Sequence, residues 1–414
     1  LDEDGPASKI SRTPATTESQ IEMRKAKDVK TIAAANGIAT DSAFGAVTPP
    51  LHLSSNFAFR HFEQTQDYEY STTANSTRDL LGDTLAKLEG GAGAVMTASG
   101  MAAVNLVLSL LKSGDSVIAP HDCYGGTYRL LCSLRDKRHF DVEFIDQQNA
   151  TALRSGLQGS PTLVFIETPS NPLMRIVDIN GIAQQAHAAG ARVVVDYTFL
   201  SPALQQPISL GADFVIHSTT KYLNGHSDVV GGAVVAARSS DAEALKDWAN
   251  LTGVTGSPFD SYLTLRGVRT LFPRLERQQK TAVAVANFLA GRPEVGIVHY
   301  PGLETHPGHE LAKRQQSGFG AMLSFELAGG LEAVRSFVKP LQVFTLAESL
   351  GGVESLIAHP ATMTHAGMGA QARSAAGITD GLLRVSVGLE AEEDLLWDRA
   401  SSLSAIGSLS ATAP

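Results

Sequence analysis

The sequence predicts an α/β fold, with a mostly parallel sheet wound by helices and a smaller α+β domain at its C-terminal end. Three observations predict it. Short β-branched runs, apolar on both faces, recur through the middle of the chain, as the buried strands of a parallel sheet require. Segments with apolar residues at helical spacing lie between several of them, the alternation of a doubly wound sheet. In the last third that alternation gives way to a long helical stretch and scattered strands. The expected division is 1–72 as an N-terminal arm and linking segment, 73–278 as the α/β domain and 279–414 as the α+β domain.

The elements follow in order. Residues 1 to about 45 have few apolar clusters and read as an arm with little core of its own. Thr77–Glu89 carries Leu80, Leu81, Leu85 and Leu88 at helical spacing and stops at Gly90-Gly91. Met101–Leu111 is a strongly apolar helix. Strands are expected at Ser116–Ala119, Val142–Ile145, Leu163–Glu167, Val193–Asp196, Phe214–His217 and Ala233–Ala236, with helices such as Ile179–Ala189 between them. The last third should hold a helix over Arg274–Ala290, a strand at Met322–Phe325, a helix at Leu331–Val338 and a final helix from Glu392.

Bulk properties narrow the function classes. The chain has 414 residues, 43% apolar and 18% charged, an ordinary globular balance. A net charge of -9 gives no electrostatic reason to bind nucleic acid or an anionic membrane. No apolar run approaches the roughly 18 residues of a membrane span. Leu1–Lys30 shows no basic-then-apolar leader, and the opening Leu1 suggests a trimmed chain. Cys123 and Cys132 form neither a disulfide framework nor a zinc spacing. The expectation is a cytoplasmic enzyme acting on small molecules, with no nucleic-acid or membrane partner.

Chemistry concentrates at strand ends. Asp213–Asn224 reads DFVIHSTTKYLN, which places Ser218, Thr220 and Lys221 at the carboxyl end of a strand, where open α/β sheets bind ligands. A lysine beside two hydroxyls suits a Schiff base with a phosphate nearby, although a lone lysine in a loop is more often simply solvated. Asp196 ends another apolar strand. A carboxylate there needs a cationic partner if buried, such as a protonated pyridine, or else caps the next turn. Ser99-Gly100-Met101 opens a helix and offers free N–H groups to an anion, by itself a weak signal. Tyr124 in HDCYGG follows a strand and suits stacking on a planar ring. Arg384 in LRVSVGLE needs an anion, either a substrate carboxylate or a structural glutamate. Gly90–Gly93 follows no strand in dinucleotide-binding fashion, and HPGHE at His306–Glu310 lacks zincin spacing. His121, His217 and His226 read as structural. Nothing marks Cys123 as a nucleophile.

Four stretches, HDCYGGTYRL (121–130), ETPSNPL (167–173), STTKYLNGHSDVVGG (218–232) and TLAESLGGVESLIAHPATMTHAGM (345–368), complete the picture. With them the chain, from about Gly45 to about Asp398, resembles the Cys/Met-metabolism enzymes dependent on pyridoxal 5'-phosphate (PLP), of transferase fold type I, most closely the cystathionine γ-synthase branch. The resemblance implies a seven-stranded sheet, with PLP bound in the 73–278 domain. It implies that Lys221 is the Schiff-base lysine and proton shuttle, that Asp196 pairs with the pyridine nitrogen and that Tyr124 stacks on the ring. Gly100, Met101, Ser218 and Thr220 would hold the phosphate. Asn171 and Arg384, with Ser349, would bind the substrate carboxylate, and Glu348 would mark chemistry at the γ-carbon. Tyr70 would reach in from a neighbouring subunit, making a dimer the minimum unit and a homotetramer the expected assembly. The implied reaction is γ-replacement on an O-acylhomoserine, O-succinyl or O-acetyl, with cysteine to give cystathionine. Same-fold alternatives are a γ-lyase or an O-acylhomoserine sulfhydrylase, and a non-catalytic relative is a further one.

The chain departs from the family at the neighbour-subunit loop, where Tyr-Ser-Arg-x-Gly-Asn-Pro-Thr becomes Tyr70-Ser71-Thr72-Thr73-Ala74-Asn75-Ser76-Thr77. Thr72 stands where the family's phosphate-clamping arginine is expected. Thr73 lacks the basic residue that some synthases place near a succinyl group, while Arg129 survives as a receiver for a distal carboxylate. Tyr197 replaces the Asn that usually follows the strand-end Asp.

Overall fold

The computed structural model describes residues 27–410. The first 26 residues of the expected arm lie outside them. Within the described part, the arm is less bare than its composition suggests. Val29–Ala35 forms a helix capped by Asp28, Ala33 is buried, and Asn36 Nδ2 donates to Asp83 Oδ2 (2.9 Å) and Thr84 Oγ1 (2.8 Å) on the helix Ser76–Glu89.

The central sheet has seven strands: β1 (Gly93–Thr97), β2 (Ser116–Pro120), β3 (Asp141–Ile145), β4 (Leu163–Glu167), β5 (Arg192–Asp196), β6 (Phe214–Ser218) and β7 (Gly232–Ala236). Their order is β1-β7-β6-β5-β4-β2-β3. The pairs from β3 to β6 are parallel, and β7 runs antiparallel to both of its neighbours. Alternate residues feed two apolar layers. Val193 and Val195 join the helix Ser76–Glu89 on one face, and Val194 joins the helix Gly100–Leu108 on the other. This two-sided burial is why these strands read as continuous apolar runs.

Two expectations need correction. The run Val142–Ile145 is not buried on both faces. It belongs to β3, at the sheet edge, with Asp141 and Glu143 exposed, so its charges meet water and discourage further pairing. The strand β1 escapes the reading by apolar runs because it is short, opens with Gly-Ala and follows a helix almost directly.

The chain then runs through the 20-residue helix Leu271–Ala290 into a five-stranded sheet. Its strands are β8 (Val295–His299), β9 (Met322–Leu327), β10 (Thr345–Leu346), β11 (Leu356–Ala358) and β12 (Leu382–Ser386), ordered β10-β11-β12-β9-β8. The helices Gly330–Val338 and Glu392–Ser410 pack together beside it. Among the described residues, no helix is long and apolar enough to cross a membrane.

Candidate active site

The carboxyl ends of β1, β2, β4, β5 and β6 open on one cleft of about 320 Å³, closed on its far side by 348–350, Thr364 and Arg384. Ligand sites at this edge follow from the winding: the loops that leave a parallel sheet on one side all lie there.

At one end, Ser99 caps the helix Gly100–Leu108 by accepting from the Ala102 N–H (3.1 Å). The N–H groups of Gly100 and Met101 are left without intrahelical partners. A Cβ on Gly100 would stand 2.8 Å from Ser218 Cβ, so only glycine lets the helix start approach the end of β6. Thr220 lines the same end, but its hydroxyl is already engaged by the main chain of Gly231, at 3.0 and 3.2 Å. The arrangement is a neutral anion cradle built of N–H groups and hydroxyls.

Asp196 ends β5 inside the cleft. Its Oδ1 accepts from Thr198 N (3.1 Å) and Thr198 Oγ1 (2.7 Å). Burial raises its pKa, partly countered by those bonds, and it has no ion pair among the described residues. A half-buried carboxylate in the cleft with no ion-pair partner of its own fits a protonated pyridine nitrogen, so the residues present suit PLP.

Lys221 projects into the middle, its Nζ donating to Ser349 Oγ (2.9 Å). Burial, and then the Arg384 charge, lower its pKa to about 8, with Glu348 opposing. Ser349 has φ 86°, a left-handed conformation that costs a non-glycine residue on the order of 1 kcal/mol or more. The turn holds because Ser349 is fixed twice, by Lys221 and by Arg384 Nη2, which donates to its carbonyl (2.8 Å).

Arg384, on β12, is 3% exposed. Its Nη1 donates to Asn171 Oδ1 (3.0 Å). No carboxylate pairs with it among the described residues, and Glu390 is turned instead to Ser355 N and Oγ, both at 2.7 Å. Burial lowers the guanidinium pKa to about 10, which leaves it cationic at neutral pH. A buried cation held only by neutral acceptors can take an incoming carboxylate. Tyr124 faces the cleft from the end of β2, and burial, then Glu348, raises the pKa of its phenol. Gly126 makes room for the ring, since a Cβ there would lie 2.5 Å from Tyr124 Cε1.

The structure thus brings together Gly100, Met101, Tyr124, Asn171, Asp196, Ser218, Thr220, Lys221, Glu348, Ser349 and Arg384. It leaves out three sequence-selected residues. Tyr70 is 53% exposed and outside its own chain's cleft. Thr72 lies in the same surface segment, and Arg129 Nε donates to the Gly125 carbonyl (3.3 Å) rather than lining the cleft. The reading of strand ends missed Glu167, although it closes an apolar strand as Asp196 does and is its register partner. Tyr197 turns to the opposite face of the sheet, where its hydroxyl meets Glu89 Oε1, which also pairs with His217 Nε2 (2.7 Å). This departure from the family therefore fills the core behind the cleft, and His217 is structural. Burial pushes the Cys123 thiol well above its ordinary value, so it stays protonated.

Comparison with known proteins agrees with this geometry. A family model described as Cys/Met metabolism PLP-dependent enzyme matches residues 30–404. A cystathionine gamma-synthase of Escherichia coli (strain K12) is 55% identical over 369 residues, covering 89% of this chain and 96% of that protein. A cystathionine beta-lyase of Lactococcus lactis subsp. cremoris (strain MG1363) is 45% identical over 375 residues, covering 91% and 98%. The crystal structure of cystathionine gamma synthase from Xanthomonas oryzae pv. oryzae in complex with aminoacrylate and cysteine matches with a TM-score of 0.92 and 57% identity, over 92% of this chain and 99% of that one. The chain belongs to the Cys/Met-metabolism family of PLP-dependent enzymes.

Proposed function

We propose that the chain catalyses γ-replacement, joining cysteine to the γ-carbon of an O-acylhomoserine to give cystathionine. The observation that carries this reading is that one cleft holds a cation, Arg384, and an anion, Glu348, and Lys221 feels the charge of both. A cation there takes the carboxylate of the first amino acid, and an anion takes the ammonium of the second. The higher identity to the E. coli γ-synthase, 55% against 45% for the β-lyase, supports the same choice.

PLP supplies an electron sink for charge developing at the substrate's Cα. Lys221 attaches it and moves protons at Cα and Cβ. Its lowered pKa keeps part of the amine neutral near neutral pH, as a base requires. With PLP bound, Asp196 would keep the ring nitrogen protonated, Tyr124 would lie against the ring, and Gly100, Met101, Ser218 and Thr220 would hold the phosphate. Arg384 and Asn171 orient the substrate carboxylate, and Ser349 parks the Lys221 amine. Tyr70 acts in a neighbouring copy's cleft, within a homotetramer built of dimers. The exposed Phe44, Phe59, Phe62 and Tyr70 along the same segment support that assembly.

The deciding assay gives the PLP-loaded protein O-succinyl- or O-acetylhomoserine with cysteine, and separately cystathionine alone. Cystathionine formed faster than 2-oxobutanoate or pyruvate supports γ-replacement. Faster cleavage of cystathionine would make the chain a lyase instead.

Thr72 bears on cofactor affinity. A charge-assisted clamp is worth about 1.5–3 kcal/mol, so Thr72→Arg should tighten PLP binding by roughly tenfold to a hundredfold. A PLP titration of both proteins reads this directly, and equal affinities would remove the argument.

A further inference from the structure

Glu167 is a buried acid inside the cleft, 6% exposed, with no part in the reaction as described above. Burial, and then the neighbouring Asp196, raise its pKa well above the usual carboxylate range. Its two oxygens are divided between two different loops. Oε2 accepts from the Tyr124 N–H at 2.8 Å, and Oε1 accepts from the Asn171 N–H at 2.9 Å. The first loop carries the aromatic ring that faces the cleft. The second carries the amide whose Oδ1 takes Arg384 Nη1. The Asn171 peptide is held from its other side as well, because His365 Nε2 lies 2.9 Å from the Asn171 carbonyl. Burial lowers the His365 pKa to about 4 and keeps that imidazole neutral, so it donates to this carbonyl from Nε2.

We propose that Glu167 is a positioning residue that fixes the ring-facing Tyr124 relative to the Asn171–Arg384 pair, so that cofactor ring and substrate carboxylate are held at one separation. The inference rests on the PLP reading of the cleft. A carboxyl group of this reach has an acceptor oxygen for each loop, so it accepts from both at once. A glutamine keeps the shape, but its NH₂ confronts one of the two N–H donors, and that loop is released.

The test compares holoenzyme carrying Glu167→Gln with wild type, alone and combined with Asn171→Ala. The expected result is a KM for the amino-acid ester raised by about tenfold or more, a smaller change in kcat, and a weaker PLP affinity by titration, with a melting temperature within a few degrees of wild type. In the Asn171→Ala background the same change should add little to KM, because the group it positions is gone. A KM unchanged within about twofold, or effects that multiply fully in the double variant, would overturn the proposal. If Glu167→Gln does not fold, Glu167→Asp, which keeps both acceptor oxygens and shortens the reach, is read by the same KM criterion. The lysine-dependent visible absorbance of the wild type separates the two failures. Its absence would remove the PLP reading, whereas its presence beside an unchanged KM removes only the role of Glu167.

Discussion

Lys221→Ala should lower turnover by about 10²–10⁴-fold through lost proton transfer alone, and remove the visible absorbance that attached PLP gives the wild type. Among the described residues that line the cleft Lys221 carries the one side-chain amine, held by Ser349 Oγ at 2.9 Å. Its pKa of about 8 sets the sign of a pH effect. In the protein without cofactor the amine is protonated below that value and neutral above it, so attachment of PLP should quicken as pH rises through 8. Linkage gives the matching stability effect. The folded protein binds this proton less tightly than the unfolded chain, whose lysine titrates near 10.5, so stability without cofactor rises between those two values. Spectra and single-turnover rates from pH 6 to 9 read the first effect. A variant that kept both absorbance and turnover would assign the cofactor to another amine.

Arg399→Leu should stabilise the protein by about 1–4 kcal/mol. Arg399, on the last helix, is fully buried, and none of its three guanidinium nitrogens finds a hydrogen-bond partner among the described residues. The adjacent Asp398 is already committed to the N–H groups of Gln342 (2.8 Å), Val343 (3.0 Å) and Phe344 (2.9 Å). The Phe344 ring, 4.0 Å from the guanidinium carbon, offsets part of the cost. Burial lowers the pKa to about 9, so the penalty is full below that pH and shrinks above it. Leucine fills much of the space without a charge. Thermal and denaturant melts of the holoenzyme at pH 7 decide the matter. An unchanged or lower midpoint would show that the cation is compensated.

How much of this was legible in the sequence depends on whether the signal was local. Asp196 and Lys221 stood out because a polar residue after a buried strand breaks a continuous apolar pattern, and the resemblance to the family supplied the role expected of each. Glu167 carries the same mark, but its partners Tyr124 and Asn171 are set by how two loops meet, which no spacing reveals. Arg384 shows the limit from the other side. The chain offers Glu390 six residues away, yet the fold sends that carboxylate to Ser355 and joins the arginine to Asn171 across the two sheets. Tyr197 was legible only as a departure. Its explanation, Glu89, lies on a helix far back in the chain. The edge position of β3 depends on strand order, which apolar patterning leaves open.

The order of the strands also bears on how the protein comes into being. The first strand of the large sheet, β1, pairs within that sheet only with the last, β7, so Gly93 waits for Ala236 before its ladder can form. Ser99, which follows β1, also lies against Gly232 at the start of β7. A nascent chain leaving the ribosome can assemble the β2–β6 region early, but β1 takes its place in the sheet only after β7 emerges. Such non-local closure is slow and leaves a strand edge open to other chains. A chain broken between Lys221 and β7 therefore keeps that lysine but leaves β1 without its partner in the sheet.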